Sequence, residues 1–136
     1  MTSHADRPLA PEERATLEFL LVDEIPRVDH LRAQAASAQV SGRCECGCPT
    51  IDLAIDQHAP IWTPGVPVDR VVAMAFNRAR YPSAQLLLHA LDGRLSELEY
   101  VDMAGNQSEP SFPPISTWQT PMVGPGPESC CWPDSD

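Results

Sequence analysis

Three thiols stand at alternate positions in Cys44-Glu45-Cys46-Gly47-Cys48-Pro49, the most chemically specific segment of the chain. Alternation places such side chains on one face of a strand. With Gly47 free to take a positive φ and Pro49 closing the turn, the same three sulfurs can instead converge on one side of a tight turn at a sheet edge. Convergence suits a soft metal ion, because thiolates bind Zn²⁺ or Cu(I). A tetrahedral zinc site needs a fourth ligand, for which His58, Cys130, Cys131 and His30 are candidates. The expected set is Cys44, Cys46, Cys48 and His58. Two other readings stand beside it: thiols packed as small apolar groups at a strand end, and a disulfide formed within the loop for redox work. A redox thiol wants a lowered pKa, which Arg43 favours and Glu45 opposes.

Elsewhere the familiar catalytic signatures are missing from the sequence. There is no glycine-rich phosphate loop, no Gly-x-Ser-x-Gly elbow and no His-Glu-x-x-His helix. His30 beside Asp29, and His89 near Asp92, read as ordinary surface or core histidines. Glu97 and Glu99 share a strand face like a carboxylate pair, but they read as an exposed solubilising edge, since acid–base work needs a burial that nothing in the sequence argues for. Trp62, between Pro60 and Pro64, is either a partner anchor or a ring packed under its own prolines; the second is expected.

Charge narrows the partners. The chain of 136 residues has 19 acids against 9 bases, a net charge of −10. Every base is arginine, and none follows Arg94. Such a field repels a phosphate backbone, whose affinity for proteins comes from Lys and Arg displacing counterions, so no nucleic-acid binding is expected. Anionic membranes are disfavoured likewise, and no apolar run is long enough to span a bilayer. A basic protein partner is favoured, because a field of one sign steers and concentrates the other. The N-terminal residues lack the apolar core of a signal peptide. A cytoplasmic setting is therefore expected, with thiols reduced unless a metal or a catalytic cycle holds them.

The elements that must position these groups follow from periodicity. Residues 1–10 read as a disordered start. Pro11-Glu12-Glu13 opens a helix with proline in the first turn and carboxylates on the positive dipole end, and Leu17, Leu20 and Leu21 form its stripe. A second helix carries Val28, Leu31 and Ala35 inward, with Asp29 and Arg32 on its wet side. At residue 50 the period changes to two. Strands are expected near 50–57, 68–78, 84–91 and 95–102, the last two joined by the hairpin dipeptide Asp92-Gly93. Leu98 and Tyr100 face inward in that reading. From 104 onward seven prolines preclude regular pairing, leaving an extended proline-rich tail (104–136) that lies across the domain through Phe112, Ile115 and Trp118. The expected architecture is α+β over 11–103: two N-terminal helices packed on one face of an antiparallel sheet of about four strands.

Several runs resemble a group of small actinobacterial proteins that carry a Cys-x-Cys-Gly-Cys-Pro-[Ser/Thr] motif. They are Leu31-Arg32-Ala33-Gln34, Cys44-x-Cys46-Gly47-Cys48-Pro49-Thr50-Ile51-Asp52-Leu53, Leu88-His89, and Asp92-Gly93-x-Leu95-Ser96-Glu97-Leu98-Glu99. The resemblance covers about residues 28–102 and implies a shared fold, without an activity or a catalytic residue. Cys130-Cys131 lies outside it. The function expected from all this is a small acidic non-catalytic binding protein whose cysteine loop is structural, with zinc as the candidate tie. The alternative is a thiol-based metal-binding or redox protein using Cys44, Cys46 and Cys48.

Overall fold

Four strand segments marked by apolar patterning follow the two helices in the chain and join three short or weakly patterned strands in one antiparallel sheet. A computed structural model describes residues 6–43, 48–62, 70–104 and 111–124. In chain order its elements are β1 (Arg7–Pro8), α1 (Pro11–Leu20), α2 (Val28–Ala36), β2 (Gln39–Arg43), β3 (Ile51–Ala54), β4 (Arg70–Phe76), β5 (Ala84–Leu91), β6 (Arg94–Asp102), a 3₁₀ turn at Ile115–Thr117, and β7 (Met122–Val123). The sheet has seven strands in the order β1-β2-β3-β6-β5-β4-β7, and all neighbours are antiparallel.

The α+β class and both helices agree with the expectation from periodicity; β3, β4 and β5 fall within their expected segments, and β6 begins one residue before its own. The count of four strands is corrected to seven. The three additional strands, β1, β2 and β7, have physical reasons for escaping a pattern search. Gln39-Val40-Ser41-Gly42-Arg43 has one large apolar residue and a glycine, so its strand character comes from pairing with β3. β1, inside the stretch expected as a disordered start, and β7 are two-residue edges beside prolines. Pairing within the tail is also a correction. A proline removes only its own donor, so Met122 and Val123 pair with β4 right after Pro121, and the Gly124 amide donates to the Val72 carbonyl at 2.7 Å. Phe112 and Trp118 anchor this segment in the core as expected, while Ile115 stays exposed.

Local chemistry fixes the ends of the helices. The carboxylate of Glu13 accepts the Ala10 amide at 2.7 Å and both guanidinium nitrogens of Arg7 at 2.9 Å, which ties β1 to the start of α1. Burial works against the charge on Glu13, but the Arg7 and Ala10 bonds outweigh it and hold the carboxyl below the ordinary glutamate range. At the C-terminal end of α2, Arg14 donates to the Ala35 carbonyl at 3.0 Å, a second partner for an acceptor that the Ala38 amide meets at 3.1 Å. Asp92 and Gly93 both have positive φ, 54° and 82°, the requirement of a two-residue type I′ hairpin between β5 and β6.

Leu17, Leu20, Leu31 and Ala35 from the helices join Ile51, Ala75, Leu86, Leu88, Leu95 and Leu98 from the strands in one core. Gln34 is buried among them and fully bonded. Its Nε2 donates to the carbonyls of Pro60 (2.7 Å) and Gly93 (2.8 Å), and its Oε1 accepts the Leu95 amide (2.9 Å). Trp62 is buried rather than displayed, with Nε1 donating to the Pro26 carbonyl at 2.6 Å. Among the described residues no helix is long and apolar enough to cross a membrane.

Candidate functional site

Alternation along β4, β5 and β6 divides their residues into two sets. Ala84, Leu86, Leu88 and Ala90 of β5 are buried in the core, while Gln85, Leu87 and His89 are half-buried on the outer face. The cross-strand register assembles that outer face into three rows. One is Phe76, Gln85 and Val101; the next is Met122, Met74, Leu87 and Glu99; the third brings His89 beside Glu97 and Glu97 beside Asp52 of β3. Tyr81, 60 % exposed, stacks edge-on against Phe76 at 5.3 Å. The face therefore grades from apolar at the β4 side to acidic at the β3 side.

A bulge makes this arrangement. An ideal two-residue hairpin pairing Leu91 with Arg94 and Ala90 with Leu95 would next set Ser96 opposite His89 and Glu97 opposite the core residue Leu88. The register shifts between His89 and Ala90, so that His89 pairs with Glu97 and Leu88 with Leu98. Ser96 is the extra residue. Leu95 and Leu98 both reach the core, and Glu97 and Glu99 both turn outward.

On the outer face His89 Nε2 lies 2.8 Å from Glu99 Oε1. One donor atom from each of His89, Glu97 and Glu99 lies within 4.8 Å of the other two, and among the described residues this is the cluster of metal-ligand type. From the sequence alone the three residues read as an ordinary histidine and a solubilising edge. His89 turns to the glutamates, not to Asp92, which sits in the hairpin turn. The missing signal was the bulge. Periodicity puts Glu97 and Glu99 on one face, but only the one-residue shift adds His89 to it.

Of the expected zinc ligands, Cys44 and Cys46, like Cys130 and Cys131, lie outside the described residues. Cys48 is buried, its thiol 3.5 Å from Thr50 Oγ1, which in turn accepts the Tyr100 amide at 3.0 Å. This binds the end of the cysteine loop to β6. His58 is exposed in the turn after β3, where its backbone amide donates to Asp56. His30 is half-buried against the Ile61 carbonyl at 3.2 Å. A second polar group is structural: Asp102, buried, takes Arg80 at 3.3 Å while Arg80 also donates to the Tyr100 hydroxyl at 3.0 Å.

Comparisons of the chain with family models, with curated proteins and with solved structures gave no match.

Proposed function

We propose that this chain is a small acidic binding protein that receives a basic protein partner on the outer face of its sheet. The observation that carries the reading is the grading of that face. Met74, Phe76, Leu87 and Val101 offer apolar area, Tyr81 and Met122 stand exposed at its margin, and Asp52, Glu97 and Glu99 supply negative charge beside it. Apolar anchors next to unlike charge are what an interface needs: burial gives affinity, and the charges steer encounter and set orientation. The net charge of −10 makes a basic partner the complementary one.

The sheet edges favour the face over strand addition. β1 and β7 are each two residues long, Pro8 is itself half of β1 and Pro121 directly precedes β7, so they offer little ladder to an incoming strand. A cytoplasmic setting, in which thiols stay reduced, fits this reading.

Photo-crosslinking in cells tests it. A crosslinking residue at Val101 is expected to capture a basic protein that the same residue at exposed Ala33 on α2 does not. Leu87→Asp, and separately Glu97→Lys with Glu99→Lys, should each weaken binding of the purified captured protein at least about tenfold. Adducts identical from both positions, or affinity unchanged by either variant, would overturn the proposal.

A further inference from the structure

We infer that His89, Glu97 and Glu99 form a site for one divalent transition-metal ion, bound by the imidazole and one oxygen from each carboxylate on the outer face of β5 and β6. The donor atoms already lie within 4.8 Å of one another. Ligands about 2.1 Å from a tetrahedral zinc stand about 3.4 Å apart, so side-chain torsions alone can close the site. The backbone beneath is fixed. β6 and β5 are interior strands of the seven-stranded sheet, and the Ser96 bulge sets which residues face out.

Electrostatics points the same way. Two half-buried carboxylates share a strand face in a chain that already carries −10. His89 Nε2 already lies 2.8 Å from Glu99 Oε1, so the imidazole and one carboxylate face each other as ligands of one ion would. The donor set also selects the class of ion. Mg²⁺ and Ca²⁺ favour all-oxygen ligands, whereas imidazole with carboxylates suits Zn²⁺, Co²⁺, Ni²⁺ or Cu²⁺. Three protein ligands leave a tetrahedral ion one outward position for water or a further group. The three ligands include no thiol.

The test uses the full chain with Cys44, Cys46, Cys130 and Cys131 replaced by Ser, keeping the buried Cys48 so that its packing is undisturbed. Calorimetric titration with Zn²⁺ should show one saturable site, and Mg²⁺ under the same conditions none. His89→Asn, Glu97→Gln and Glu99→Gln should each weaken Zn²⁺ binding at least about tenfold, the scale of removing a ligand or its support. Amide spectra of each variant must keep the parent pattern away from β5 and β6, so that lost binding is not lost folding. Added Zn²⁺ should shift the resonances of residues 87–99 in the parent. Absence of a saturable Zn²⁺ site, or binding that survives all three substitutions, or binding lost with His30→Asn or His58→Asn instead, would overturn the inference. The titration needs no partner and the crosslinking can be run with a chelator present, so failure of one leaves the other standing.

Discussion

Replacing Gln34 by Leu should cost far more stability than its near-equal volume suggests. Gln34 is completely buried, and its amide makes three bonds: to Pro60 O at 2.7 Å, to Gly93 O at 2.8 Å, and from Leu95 N at 2.9 Å. The Gly93 carbonyl keeps a second donor, the Trp62 amide at 2.9 Å, and so survives the change. Pro60 is exposed, so its carbonyl can turn to water and its lost bond costs about 1 kcal/mol, whereas the buried Leu95 N is left unsatisfied at about 1–3 kcal/mol. Extra apolar burial by leucine returns about 1 kcal/mol of that. A net loss of about 2 kcal/mol follows, or a fall in Tm of roughly 7 °C for a domain of this size. Urea unfolding followed by circular dichroism measures it, with a lower midpoint and an unchanged slope as the signature. A loss under about 1 kcal/mol would show that water or a backbone shift satisfies the Leu95 amide, and the bridging role given to Gln34 would be wrong.

Three further outcomes are expected. Because the folded-state pKa of Glu13 is depressed, its stabilisation is present above the unfolded value and lost as pH falls through the folded one. Glu13→Gln should therefore lower stability near neutrality and flatten its decline below about pH 4.3, read from urea midpoints at several pH values. Gly93→Ala forces a side chain onto φ 82° and brings its Cβ within 2.5 Å of Ile61 Cγ2 and 2.7 Å of Trp62 O; a loss of about 2–3 kcal/mol is expected by the same assay. Gel-shift assays at about 150 mM salt should detect no micromolar binding to DNA or RNA, since phosphate contacts dominate such affinity.

Most of the fold could be read from residue order. Pro11-Glu12-Glu13 opens α1, the period change at residue 50 separates helices from strands, and Asp92-Gly93 turns the chain between β5 and β6 with both residues at positive φ. These signals are local. They depend on one residue's allowed φ, or on apolar spacing within a single element, and need no distant partner. The short edges β1 and β7, and the glycine-bearing β2, carry no such signal. Their strand geometry is imposed by the neighbour whose free amides and carbonyls they satisfy.

The candidate site divides along the same line. Glu97 and Glu99 share a face by alternation alone, and that much belongs to the sequence. Which residues of β5 they meet does not. An unbroken ladder from the Asp92-Gly93 turn would point both glutamates at the core with Leu88, and the sequence offers no way to count the extra residue. The bulge at Ser96 resolves this conflict. It lets Leu95 and Leu98 both bury, leaves Gln34 to receive the Leu95 amide, and turns Glu97 and Glu99 out to His89. The choice of register is made by burial summed over both strands, together with the bond from the Leu95 amide to Gln34, quantities that exist only in the folded chain.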